Sequence, residues 1–204
     1  MFRDAGKLAF GDGREIVVAP ETRVLRIPRT NKKIGKIDFV LAELDASGRP
    51  IDFAALEVQS VYMSGNSIRP DFDHYLATGE LPKIQRNRPD YRSSAQKRLM
   101  PQLSLKVPVF RRWGKRFFVV VDAPFYAALP PIKPVSSIEN SEITWLVYPL
   151  ARNPGFGYSL GEPEVIFTLW DDVLSALREG EAPQMNEVLA EIENRASKLQ
   201  RIRT

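Results

Sequence analysis

The chain has 204 residues, of which 44% are hydrophobic and 26% charged, the composition of a soluble globular domain with one sizeable core rather than of a disordered, collagen-like or membrane-spanning polymer. It has no cysteine and one histidine, His74, which excludes disulfides, thiolate chemistry and zinc sites built on Cys and His. The net charge of +4 is unevenly spread: residues 1–36 carry +5, 37–80 carry −6, 81–116 carry +10 and 117–204 carry −5.

In chain order, the first ten residues lack the long apolar core of a signal peptide, and no apolar run approaches the ~20 residues of a spanning helix, so a soluble cytoplasmic protein is expected. Short strands are predicted at Glu15–Ala19 and around Val24–Ile27. Gly35–Leu44 reads as a strand with Ile37, Phe39 and Leu41 on one face and Asp38, Val40 and Ala42 on the other. Asp45–Pro50 supplies a turn, and Phe53–Val61 is the returning strand of a hairpin. Residues 64–89, with Pro70, Gly79, Pro82 and Pro89, read as loop-rich. A helix is predicted from near Asp90 with Tyr91, Ala95, Leu99 and Leu103 on its apolar stripe, kinked or interrupted at Pro101. Arg116–Asp122 is a buried strand, Ile143–Leu150 another, and Pro163–Thr168 a third leading into a helix at Trp170–Arg178. Helical spacing returns over Pro183–Arg203, read as a packing or dimer helix. The whole is an α/β single domain, residues 1–204, with a mixed sheet of an antiparallel hairpin plus parallel strands flanked by helices.

Chemistry concentrates in Asp38 and Glu57-Val58-Gln59. Alternate residues of a strand share a face, so Glu57 and Gln59 point one way, and a hairpin brings Asp38 beside them. Two carboxylates and an amide carbonyl make a hard-oxygen nest suited to Mg²⁺, with Mn²⁺ able to substitute. Such a site can neutralise charge developing on a phosphodiester. The basic block holds Arg86, Arg88, Arg92, Arg98, Arg111 and Arg112, which fit a polyanion, although a solvated basic helix face is the plain alternative.

Other clusters carry less. Asp71-Phe-Asp73-His74 reads as a turn rich in polar caps, Gly11-Asp-Gly13 and Gly155-Phe-Gly157 as turn glycines, and Trp113 as core. No G-x-S-x-G elbow accompanies the lone histidine.

The hairpin resembles the active site of the PD-(D/E)XK nuclease superfamily, and its wording is closer to the NotI type of restriction endonuclease. The likeness rests on Leu56–Asn66 (LEVQSVYMSGN), Gln96–Val107 (QKRLMPQLSLKV) and the hydrophobic strand RFFVVVDAPFY, and spans a catalytic core of about residues 35–127. It implies a restriction-endonuclease-like fold and a Mg²⁺-dependent endonuclease acting on double-stranded DNA as a homodimer. Asp38 and Glu57 would be metal ligands, Gln59 would stand where lysine is usual, and Lys97 and Gln102 would support from a helix. Two departures stand out. The NotI type has a cysteine-ligated iron site, and this chain has no cysteine; and only 37 residues precede Asp38, leaving little room for an N-terminal helix that brings a further carboxylate, for which Glu15 and Glu21 are the substitutes. The alternative function is a catalytically degenerate nucleic-acid-binding module on the same fold, because a glutamine amide cannot act as a general base. A structural or protein-interaction domain is the third.

Overall fold

A computed structural model describes residues 1–23, 25, 33, 35–80, 88–90, 94–153, 157–178 and 184–195. Its centre is a six-stranded mixed sheet. In chain order the strands are β1 (Ile16–Thr22), β2 (Ile37–Leu44), β3 (Pro50–Val58), β6 (Phe117–Asp122), β7 (Ile143–Tyr148) and β10 (Glu164–Thr168), and they lie side by side in that same order. β1, β2 and β3 pair antiparallel, β3, β6 and β7 parallel, and β10 returns antiparallel to β7. Two small ribbons lie apart from this sheet, β4 (Tyr62–Ser64) with β5 (Arg88–Asp90) and β8 (Leu150–Arg152) with β9 (Tyr158–Leu160).

Both faces of the sheet are covered, which is why β6 reads as an unbroken apolar run. Phe117, Val119 and Val121 enter one core with Leu99, Leu103, Val107 and Phe110; Phe118 and Val120 enter the other with Ala5, Leu41 and Leu56. The first core is roofed by a π-helical turn (Ser94–Leu99) that runs into helix α3 (Met100–Arg112), and by α5 (Trp170–Arg178). The second lies under α1 (Phe2–Phe10), which the Tyr148 hydroxyl ties to β7 by donating to Asp4 Oδ2 at 2.5 Å. A short α4 (Ala123–Ala127) follows β6, capped by Asp122, whose side chain accepts from the Phe125 N–H at 2.7 Å.

Several expectations change. The chain opens on a helix, α1, in the stretch expected to leave little room for one; it packs on the sheet face away from α3, and its acid Asp4 bonds Tyr148 rather than joining the site. Residues 64–89 are not all loop: α2 spans Arg69–Thr78, with Pro70 accommodated in its first turn where the missing N–H costs nothing, and Asp71, Asp73 and His74 therefore lie on a helix rather than in a turn. Pro101 does not break the long helix; it sits in the first turn of α3, directly after the π-turn that takes up the irregularity. Phe39 and Leu41 share the α1-side core as expected, but Ile37, at the start of β2, packs into the α3-side core with Val40. The helix α6 covers Met185–Asn194 and buries nothing. Trp113 is 44% exposed, its ring edge-to-face on Phe53 and Phe110, so it caps the core rather than filling it. The strand expected around Val24–Ile27 falls largely outside the described residues.

Candidate active site

The site lies where β2 and β3 part. Their ladder runs from Leu44–Pro50 to Phe39–Leu56, so one step further places Asp38 opposite Glu57. There the two acids latch the strands through each other's backbone. The Asp38 N–H donates to Glu57 Oε1 at 3.3 Å, and the Val58 N–H donates to Asp38 Oδ2 at 2.9 Å. On its other side β3 keeps pairing with β6 through Val58, and the Gln59 N–H donates to the Val120 carbonyl at 2.9 Å. The C-terminal end of β3 is thereby held on both sides.

Glu57 points to the α3 side, the same side as Phe53 and Ala55, and is 2% exposed. A carboxylate buried among apolar neighbours needs a partner, because desolvation penalises its charged form. Lys106 of α3 supplies one: its Nζ donates to Glu57 Oε2 at 2.6 Å and to Gln102 Oε1 at 3.3 Å, and it is itself 3% exposed. Burial pushes the Glu57 carboxyl up to about 7; the Lys106 ammonium pulls it down, and the charge of Asp38 raises it again. Lys106 was not among the residues picked from the sequence. The signal was present: it stands in the buried stripe Leu99, Leu103, Lys106, Val107 and Phe110, where a lysine survives only against a buried acid.

The expected residues do not all meet in one place. Asp38 and Glu57 are brought together, and Gln102 joins them through Lys106. Gln59 lies just past the end of β3; its side-chain N–H donates to the Ser60 carbonyl at 2.6 Å, and no hydrogen bond among the described residues links it to the two acids. It lines a neighbouring cleft of about 330 Å³ together with Arg98. Lys97 is exposed on the π-turn and Arg88 is exposed on β5. Arg111 and Arg112 stand at the other end of α3, about 15 Å of helix beyond Gln102. There Arg111 pairs with Glu142 at 2.6 Å. Arg86 and Arg92 lie outside the described residues. Glu15 and Glu21 are exposed, and Glu21 pairs with Lys36 at 2.8 Å, so neither joins the two acids.

The donor set fits a hard cation on its chemistry. Two carboxylates one strand apart can share a divalent ion, which fills its remaining positions with water or phosphate oxygen. Among the described residues no group of three or more His, Cys, Asp or Glu exists that would make a larger cage. No helix of the described residues is long and apolar enough to cross a membrane.

A search of curated proteins returns no match to the chain. The family model of restriction endonuclease NotI, by contrast, matches residues 2–160, a span that takes in α1, the latched acids, the Lys106 helix and every strand through β9. With that match covering well over half of its length, the chain belongs to the NotI family of restriction endonucleases, enzymes that cut DNA.

Proposed function

We propose that the chain is a type II restriction-type endonuclease of the PD-(D/E)XK kind, hydrolysing phosphodiester bonds of double-stranded DNA with Mg²⁺, which Mn²⁺ replaces. The observation that supports this best is the pairing of Asp38 with Glu57 across the parting strands β2 and β3. These two carboxylates would hold the ion, whose contribution when bound is to neutralise negative charge at the reacting phosphodiester. The remaining work belongs to the chain. Asp38 is oriented by the Val58 N–H, and Glu57 by the Asp38 N–H and the Lys106 ammonium, so the chain itself fixes where both acids stand. Gln59 has no basic nitrogen; its role is to orient water or substrate by hydrogen bonding from the cleft side. A single site per chain cuts one strand, so a homodimer acting in the cytoplasm is the form proposed for cleaving both.

The test is incubation of mixed-sequence plasmid with the parent and with Asp38→Asn, in Mg²⁺ and in Mn²⁺, with sequencing of the ends. Asp38→Asn preserves shape and should lose cleavage by about a hundredfold or more while still binding DNA. It is a cleaner probe than Glu57→Ala, which strands the buried Lys106 charge. Discrete ends mean a sequence-specific enzyme. A parent that binds duplex but never cuts in either metal would leave only the degenerate binding module.

A further inference from the structure

The cleft at the end of β3, which Gln59 borders two residues past Glu57, contains a cation that forms no ion pair among the described residues. It opens at the end of β3, encloses about 330 Å³, and is lined by Gln59, Ser60, Tyr62, Asn66, Ser67 and Arg98 among others. The Arg98 guanidinium lies over the Tyr62 ring, 3.8 Å from its centroid. Other basic side chains of the same block are engaged with acids: Lys106 with Glu57, Arg111 with Glu142, Lys115 with Asp52. Arg98 has no carboxylate partner among the described residues.

The seat of this arginine is built rather than incidental. The Tyr62 N–H donates to the Ser94 hydroxyl at 2.6 Å, and that hydroxyl donates to the Asp90 carbonyl at 2.6 Å, with Ser94 fully buried. These bonds tie β4 to the first residue of the π-helical turn that carries Arg98. Stacking uses the face of a guanidinium and leaves the N–H donors at its edge free for a planar or tetrahedral oxyanion. Arginine edges and polar side chains in a cleft bordered by Gln59, two residues from the candidate metal ligand Glu57, complement a phosphodiester.

We propose that this cleft is a phosphodiester subsite. It takes a backbone phosphate of the DNA strand neighbouring the one to be cut, gripped by the edge of Arg98 with Tyr62 as the backing plate. The assignment rests on the nuclease reading above and adds to it a fixed point of substrate registration.

The experiment measures metal-free binding of a labelled mixed-sequence duplex by anisotropy over a range of salt. The chains compared are the parent, Arg98→Gln, Tyr62→Leu, Tyr62→Phe and, as a control for loss of one charge, Lys7→Gln. Losing one phosphate contact should lower the magnitude of the log–log salt slope by about 0.9 in Arg98→Gln and leave it unchanged in Lys7→Gln, on the sheet face away from the cleft. Tyr62→Phe should bind as the parent does, and Tyr62→Leu, which keeps the arginine charge but removes its backing, should bind severalfold more weakly. Both positions are solvent-accessible, and matched thermal unfolding of the variants confirms intact folding. An Arg98→Gln slope equal to that of the parent overturns the subsite, as does equal affinity of the two Tyr62 variants. Inorganic phosphate that competes for Arg98 with no change in the duplex slope would mark a free-anion site and overturn it as well. In each of these cases a parent that still cuts plasmid leaves the nuclease reading standing, whereas a parent that binds no duplex ends both.

Discussion

Glu57 sets the chemistry of the site and also its cost to the fold. Its carboxyl titrates near 7 in the folded chain, against about 4.5 when unfolded, because burial outweighs the help of Lys106. The folded state therefore retains a proton that the unfolded chain releases as pH rises from about 4.5. Stability from this group is full below that pH and is lost by the time pH passes about 7, a decline on the order of 3 kcal/mol. Urea unfolding in chelator at pH 5 and pH 8 should show the decline in the parent. The double variant Glu57→Gln/Lys106→Met, which removes both charges, should be flat over the same range; an equally steep double variant would place the titration elsewhere. Lys106→Met alone should cost about 3–5 kcal/mol at pH 8, where it leaves a buried carboxylate unpaired, and much less at pH 5, where Glu57 holds its proton. The same residues show what was legible. Strand alternation and a hairpin were enough to pair Asp38 with Glu57. They could not reveal Lys106, which is 49 residues away in sequence and meets Glu57 only because α3 crosses that end of the sheet.

At the scale of elements, the apolar runs were readable because each is dictated by burial on one or two faces: β6, β7 and the helix at Trp170–Arg178 all fall where period and composition put them. What escaped was α2, which has no buried residue and hence no apolar stripe to announce it, and the π-turn, whose extra residue per turn leaves no mark in a 3.6-residue pattern. The joint between hairpin and helix is sharper than either element alone. Gly35 enters β2 at φ +64, and a Cβ there would come 3.1 Å from Leu105 Cδ2 on α3. Gly35→Ala should lower stability by about 1–2 kcal/mol through left-handed strain. Because Asp38 lies three residues on, cleavage should fall as well, while binding of duplex in chelator stays near that of the parent. Unfolding and plasmid assays on one preparation separate the two effects, and a variant as stable and active as the parent would mean the chain can re-route at this joint.

At the scale of the whole molecule, the described residues of the +10 block divide between two roles. In its C-terminal part Lys115 is engaged with Asp52, Arg111 with Glu142 and the Arg116 guanidinium with the Ile138 carbonyl, whereas Arg98 lines the cleft with Gln59. Sequence counting could not separate these roles, since the acids that neutralise the block come from β3 and from the segment before β7. The apolar surface has a similar unevenness. Met185, Val188, Leu189 and Ile192 recur on α6 at i, i+3, i+4 and i+7, and all are exposed, Met185 by 80%. A stripe of that spacing is what a helix offers to another helix, and the homodimer proposed above needs a seam. If α6 forms the seam, the parent sediments at twice the mass of one chain and linearises supercoiled plasmid in one binding event. Val188→Glu/Ile192→Glu puts two carboxylates into the seam but disturbs no core of its own chain, so it should sediment as a single chain, keep the parent's far-UV circular dichroism, lose the parent's dependence of unfolding temperature on protein concentration, and release nicked circles before linear product. The corresponding change on α2, Phe72→Ser, should leave mass and product order as in the parent, although Phe72 is also exposed. Loss of dimer in the α2 variant and not in the α6 variant would move the seam to the other helix, and a parent that linearises plasmid while sedimenting as one chain would remove the two-copy requirement altogether.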